Sequence, residues 1–348
     1  MADRTGVDPF ARVRLGRTSV EVTRLGFGAA PIGGLYAPVA EADAVATVRR
    51  AWDLGIRTFD VAPLYGYGLA ERRVGLALRD LPRDAYTLST KVGRLIVPRD
   101  RIAPDADVDR QALDGEDDWF YRGVDPVRPV WDYSGDGIRR SLEESLERLG
   151  LARVDIVYVH DPELHLEQAL REAWPALERL RAEGTVGAIG FGVDYTAPLA
   201  WLLERSDPDV VLVAGRYTLL DQSSLDAVLP LCAAKDVSVV IGGVMNSGLL
   251  ADPRPGATFD YAPAEAAIVA RAQAIRAICD RHGVSIKAAA VRFVLAHPRV
   301  AAIVAGVRRI DHLEEYPALY RTRIPAALWT DLRAAGLLDP RAPVPDGA

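Results

Sequence analysis

The chain has 348 residues, 49% of them hydrophobic and 26% charged, enough for one large core or two ordinary domains. With 42 Lys plus Arg against 48 Asp plus Glu the net charge is −6, which offers no electrostatic grip on nucleic acid or on an acidic membrane surface. No run of about 18 apolar residues occurs and MADRTGVDPF has no apolar core segment, so neither a membrane span nor a signal peptide is expected. Cys232 and Cys279 both lie in apolar helical patterns and read as buried free thiols of a reducing, cytoplasmic setting.

Arg12 to Val22 reads as a short hairpin, with Val13 and Leu15 alternating with charged residues before a turn and Val20 and Val22 after it. Leu25 to Ala30 is the first strand of a repeating rhythm. A helix follows over Ala42 to Leu54, with Val45, Val48 and Trp52 at helical spacing and a stop at Gly55. Then come a strand at Arg57 to Val61, a helix at Ala70 to Leu78 and a strand at Tyr86 to Lys91. The rhythm breaks over residues 94–133, which are rich in Asp, Pro and Arg and carry Trp119, Phe120, Tyr121 and Trp131. Loops of this length usually serve function, and four aromatics argue against disorder.

The alternation resumes with a helix at Gly137 to Leu149 and a strand at Val154 to Val159, then a helix at Leu166 to Glu183 that Pro175 should kink. Strands are expected at Val186 to Val193, Asp209 to Ala214, Val237 to Gly242 and Val300 to Ala305. Helices are expected at Pro198 to Arg205, Ser224 to Lys235, Ala264 to His282, Ile286 to His297, Asp311 to Tyr320 and Ala326 to Ala335. Nearly continuous apolar runs such as DVVLVA and VSVVI suit strands buried on both faces of a parallel sheet. Eight strand–helix units predict an α/β protein with a closed (β/α)8 TIM barrel. The barrel would form one domain over residues 1–348, with its core at about 12–335, an N-terminal hairpin and the insertion 94–133 after strand three. A doubly wound open sheet is the alternative. Against it, Gly26 and Gly28 are followed by Pro31, so the third glycine of a dinucleotide fingerprint is missing.

In such barrels the working groups gather at the carboxyl ends of the strands. Asp60, Lys91, His160 and Asp194 end strands two, three, four and five, and Tyr65 follows strand two on a turn framed by Pro63 and Gly66. Each alone has a structural explanation; together on one rim they form a chemical set. An ammonium beside a phenol favours the phenolate and lowers its pKa, a carboxylate keeps the ammonium charged, and an imidazole holds a substrate oxygen or relays a proton. That set suits proton exchange at a carbonyl or hydroxyl oxygen, and the matching hydride must come from a nicotinamide because no side chain carries one. His160 and His165 lack metal-ligand spacing and no metal is expected; no G-x-S-x-G elbow occurs. A barrel aldolase using Lys91 as a Schiff base leaves Asp60 and Tyr65 unexplained.

FDVAPLYG (Phe59 to Gly66), STKVG (Ser89 to Gly93) and VHDPE (Val159 to Glu163) resemble the Asp, Tyr, Lys and His signatures of the aldo-keto reductases. The resemblance runs from about Val13 to Tyr320. Trp131 to Ile138, Ala214 to Gln222 and Asn246 to Leu250 are similar to the D-threo-aldose 1-dehydrogenase, or L-fucose dehydrogenase, branch, and pyridoxal 4-dehydrogenases are similar too. The resemblance implies NAD(P) across the carboxyl-terminal mouth. Tyr65 would exchange the proton, Lys91 tune it, Asp60 hold Lys91 and His160 orient the substrate oxygen. It implies cofactor contacts at Gly28, Asp60, Gly192 and Asp194, where Asp194 replaces the family's Ser-Asn pair. Further contacts are expected at Tyr217, at the Asn246-Ser247-Gly248 loop as a backbone donor set for the pyrophosphate, and at Gly306, Arg308, Arg309 and His312.

The family's Lys-Ser pair is absent at Gly306 and Val307, so dual or NAD-leaning use is expected. Trp119, Phe120 and Trp131 are expected to wall the substrate, a sugar or small aldehyde, with a hydrophobic plug on the barrel as the alternative. The leading expectation is an aldose 1-dehydrogenase yielding a lactone, acting as a monomer or weak homo-oligomer. Pyridoxal oxidation or general aldehyde reduction are alternatives. From another class, a cofactor-sensing regulatory subunit, as in the potassium-channel beta subunits of this fold, stays open.

Overall fold

Eight short parallel strands close into a barrel in this computed structural model, which describes residues 6–109, 121 and 126–345. The strands are Leu25–Gly28, Thr58–Asp60, Thr87–Val92, Ile156–His160, Ala188–Val193, Val210–Ala214, Ser238–Gly242 and Val300–Gly306. Closure is by the eighth strand on the first, with Ile303 opposite Leu25 and Gly306 opposite Gly28. The register sets strand ends side by side: Gly28 beside Asp60, Asp60 beside Ser89, Lys91 beside Tyr158 and His160 beside Gly192. The sequence's continuous apolar runs thus become strands covered on both faces, and Asp60, Lys91 and His160, at or next to the ends of their strands, are delivered to one rim.

Two apolar layers hold this shape. One lies between strands and helices, and includes Phe27, Phe59, Phe191 and Trp174. The other fills the barrel interior with Tyr158, Val210, Leu212, Val240 and Val304. The N-terminal hairpin, Arg12–Arg14 paired with Glu21–Thr23, packs Leu15 and Val22 against that inner layer, and both are buried. The hairpin therefore stoppers the end of the barrel opposite the site. No helix among the described residues is long and apolar enough to cross a membrane. Cys232 and Cys279 are buried free thiols, each pushed up to about 12 chiefly by burial.

Three elements differ from the sequence reading. The expected kink at Pro175 is a widened turn: a helix at Leu166–Gln168 passes through a π segment at Ala169–Ala173 into a helix at Trp174–Ala182. Proline cannot donate to the carbonyl one turn back and its ring crowds it, and the extra residue in the turn relieves both problems. The insertion after strand three is not loop throughout. Arg94–Pro98 and Val127–Trp131 form an antiparallel ladder, with Ile96 opposite Pro129. After strand seven a second small hairpin, Thr258–Phe259 with Ala262–Pro263, was not foreseen. Its two turn residues, Asp260 and Tyr261, have φ of 47° and 64°, the left-handed pair that a two-residue hairpin turn requires.

Candidate active site

Lys91 lies at the centre of the site. Its side chain is 1% exposed, and an ammonium buried there needs all three of its hydrogens satisfied. They are. Nζ donates to Asp60 Oδ2 at 2.7 Å, to the Val61 carbonyl at 3.1 Å and to the Tyr65 hydroxyl at 3.0 Å. The other Asp60 oxygen accepts from Ser89 Oγ at 2.7 Å. An ammonium so engaged has no lone pair to offer, which disfavours the aldolase reading. Tyr65 reaches Lys91 because the chain after strand two turns sharply. Its N–H donates to the Ala62 carbonyl at 3.1 Å, and Gly66 follows at φ 63°. A Cβ on Gly66 would stand 2.3 Å from the Gly33 carbonyl oxygen, so only glycine fits. The His160 ring stands edge-on to Tyr65, with centroids 6.0 Å apart.

The electrostatics correct one expectation. The Tyr65 phenol is held well above its ordinary value, first by burial and then by the Asp60, Asp161 and Asp194 carboxylates, with Arg94 opposing. The ammonium does touch the phenol, but Asp60 touches the ammonium still more closely, so Tyr65 faces an ion pair and not a bare cation. His160 is shifted well below its ordinary value by burial and by Arg94 and Lys91, so it is a neutral imidazole at neutral pH. Burial, then Asp161, pushes the Glu163 carboxyl up to about 7. In the unfolded chain that group titrates at about 4.3. Between those values the folded state holds a proton that the unfolded state has released, so stability falls as pH rises through this window. Thermal midpoints measured from pH 5 to pH 8, in steps, should fall more steeply for the parent than for Glu163→Gln. Parallel curves for the two proteins would rule this contribution out.

A cavity of about 460 Å³ runs from Asp60 and Tyr65 across the barrel mouth to Arg308 and His312. Small residues pave part of it, namely Gly28, Ala214, Gly242, Gly243 and Gly306, which leaves room for a flat ring. Asn246 also lines it. Its Nδ2 donates to the Gly215 carbonyl at 3.1 Å, but its buried Oδ1 has no donor among the described residues, an acceptor open to a ligand N–H or O–H. A dinucleotide fits these features: a flat floor near Tyr65, an orphan acceptor midway and a guanidinium at the far end. Gly28, Asp60, Asp194, Asn246, Ser247, Gly248, Gly306, Arg308 and His312 would hold it, and all line the cavity.

The other expected contacts lie elsewhere. Tyr217 is fully buried against Phe293 and His297, on the helix side of the strand. Arg216, unremarked in the sequence, takes the cavity position. Gly192 lies beneath the floor, where an added Cβ would face the Lys91 stem at 3.6 Å. Arg309 is engaged by Asp311 through two contacts of 2.9 and 2.7 Å and lines a neighbouring depression instead. Trp131 does not wall this cavity. It stacks on Tyr133 and carries the Arg94 guanidinium 3.8 Å from its ring centre. Trp119 and Phe120 lie outside the described residues. Two of the three backbone donors expected at 246–248 are taken, Asn246 by the Gly243 carbonyl and Gly248 by that of Met245.

The roof was not legible in the sequence. Tyr36, Tyr195 and Tyr261 rim the cavity, with Tyr36 and Tyr261 rings 6.5 Å apart. Arg216 ties together the segments that carry Tyr195 and Tyr261: Nε donates to the Asp194 carbonyl at 2.7 Å, Nη1 approaches Asp221 at 3.4 Å and Nη2 donates to Asp260 Oδ2 at 2.6 Å.

A closed eight-stranded barrel with a carboxylate, an ammonium, a phenol and an imidazole at one mouth defines a class: an oxidoreductase that moves a proton at a substrate oxygen beside a nicotinamide. The chain belongs to the aldo/keto reductase family, whose model it matches over residues 24–336, and it is accordingly an NAD(P)-dependent enzyme of that family. It is 43% identical over 337 residues to a pyridoxal 4-dehydrogenase of Microbacterium luteolum, covering 93% of this chain and 97% of that one. It is 41% identical over 320 residues to a D-threo-aldose 1-dehydrogenase of a Pseudomonas species, covering 91% and 95%. Among solved structures, aldo-keto reductase AKR11C1 from Bacillus halodurans in its holo form superposes with a TM-score of 0.73 at 24% identity, covering 95% and 97%, which bears on the fold alone.

Proposed function

We propose that this protein oxidises a sugar hemiacetal at C1 to the lactone, with Tyr65, Lys91, Asp60 and His160 handling the proton. The observation that carries the reading is the fully engaged Lys91 ammonium, bonded at once to a carboxylate and to the phenol at the cavity wall. NAD(P), when bound, supplies the hydride acceptor or donor. Tyr65 removes the hydroxyl proton on oxidation or returns it to a carbonyl oxygen on reduction. Lys91 stabilises the phenolate that forms, and Asp60 keeps Lys91 charged and aimed. Neutral His160 donates to the same substrate oxygen. The Asp194 carboxyl lines this end of the cavity and is a polar partner suited to a hydroxyl-rich substrate.

A second reading, oxidation of pyridoxal, is favoured by the exposed tyrosine rim, since Tyr36, Tyr195 and Tyr261 suit a flat ring. A panel of aldoses, L-fucose among them, together with pyridoxal, each with NAD+ and NADP+, tests both through the absorbance of the reduced nicotinamide. Preference for aldoses supports the first reading and preference for pyridoxal the second. Tight cofactor binding without turnover on any carbonyl or sugar would instead leave a sensor.

Cofactor choice falls to Arg308. It lines the far end of the cavity and makes no ion pair among the described residues, whereas its neighbour Arg309 is occupied. A guanidinium–phosphate contact is worth about 1.5–3 kcal/mol. Arg308→Ala should therefore raise the Kd for NADP by about tenfold or more and leave that for NAD nearly unchanged, as titration of protein fluorescence can show. Equal weakening of both would place Arg308 elsewhere on the cofactor.

A further inference from the structure

The residue after His160 has geometry that the reaction above does not use. Asp161 sits at φ 41°, the left-handed region that Asp and Asn enter more readily than other side-chain-bearing residues. Its N–H donates to the Gly192 carbonyl at 2.9 Å. The Tyr133 hydroxyl donates to the carbonyls of both His160, at 2.5 Å, and Asp161, at 3.0 Å. So tethered, Asp161 places Oδ2 3.4 Å from His160 Nε2. The same oxygen accepts from Arg94 Nη2 at 3.0 Å. Arg94 is itself buried, bonded through Nε to Asp109 at 2.8 Å and laid on Trp131. The Asp161 carboxylate is thus fixed from behind.

A neutral imidazole exists as one of two tautomers. Burial raises the Asp161 carboxyl, and the Arg94 guanidinium bonded to it opposes that shift and favours the carboxylate. A carboxylate only accepts, so its contact with Nε2 favours the tautomer with hydrogen there and opposes the one with a lone pair there. Among the described residues, no other hydrogen-bond partner approaches either ring nitrogen of His160. At 3.4 Å the contact is looser than a formed hydrogen bond, so the N–H can swing to an arriving oxygen at little cost.

We propose that Asp161 is a positioning residue which, backed by Arg94, holds His160 as the Nε2–H tautomer, so that the imidazole meets the substrate oxygen as a donor. The inference rests on the roles given to His160 and Tyr65 above. It explains why the buried Arg94, at the root of the insertion, reaches across to strand four.

Two substitutions and one spectroscopic readout separate this role from a structural one. In Asp161→Asn the amide oxygen, held by Arg94 in the place of Oδ2, still faces Nε2 and keeps the tautomer with a weaker bias. In Asp161→Ala the bias disappears. The proposal therefore expects kcat to fall by about 10²–10³-fold in the Ala variant, the loss of one donor to the reacting oxygen, and much less in the Asn variant, with Kd for the cofactor held in both. A structural role would give the same order of rates but would leave the tautomer alone. Side-chain 15N NMR of the free protein, with the His160 signals assigned through His160→Gln, should show hydrogen on Nε2 in the parent and in Asp161→Asn, and a shift toward Nδ1 in Asp161→Ala. Hydrogen on Nδ1 in the parent, or an unchanged tautomer in the Ala variant, overturns the proposal. A parent inactive on every substrate refutes the assigned activity, while the tautomer measurement still decides this inference.

Discussion

Tyr65→Phe is expected to lower kcat by about 10²–10⁴-fold for oxidation and reduction alike, with the Kd for cofactor unchanged. The substitution removes one oxygen and keeps the ring, so packing against His160 survives. What disappears is the hydroxyl bonded to Lys91 at 3.0 Å. Because burial and three carboxylates hold that phenol protonated in the free protein, the reductive direction begins with the proton already in place. The oxidative direction must first empty it, so the parent's oxidative rate should climb with pH more steeply than its reductive rate. Pre-steady-state measurement of the hydride step in both directions checks both statements. A Phe variant that retains parental rates would remove Tyr65 from the chemistry.

Lys91→Met should both stop turnover and destabilise the fold, and the manner of destabilisation is informative. Lys91 and Asp60 are 1% and 3% exposed at the side chain, and removing one partner of such a pair costs about 3–5 kcal/mol because the other charge is left buried and unpaired. Asp60→Asn should cost a similar amount for the mirror-image reason. The double variant, with neither charge, should be more stable than either single one, since the desolvation penalty has gone with both. Urea unfolding of the four proteins gives the cycle directly. Additive losses would show that the pair is uncoupled, against the 2.7 Å contact. Activity should be absent from all three variants, which separates what the pair does for the fold from what it does for Tyr65.

The barrel was legible because burial on both faces leaves unbroken apolar runs such as Val210–Ala214, and polar residues such as Asp60 and His160 stand out where such runs end, at positions the register then fixes. The same logic exposed Asp60, Lys91 and His160. It failed where strands are half-covered or minimal. Arg94–Pro98 and Val127–Trp131 were hidden by their Arg and Pro content, and the hairpin at 258–263 has only two residues on each side. Arg216 was missed for a torsional reason. Gly215 turns the chain at φ 70°, which sends Arg216 over the mouth and Tyr217 back into the core, and residue types alone do not reveal which of two neighbours a turn aims inward. The weak acidity of Tyr65 was not legible because residue types show the cation beside the phenol but neither its burial nor the carboxylates beyond.

Arg216 also bears on how this rim can change over generations. One guanidinium ties together backbone after strand five, a side chain in its own loop and the hairpin after strand seven. Loops at a barrel mouth are commonly treated as interchangeable cassettes, free to drift one at a time. Here a single codon change would loosen three of them together, so new specificities should arise in lineages that keep this arginine and vary the tyrosines around it.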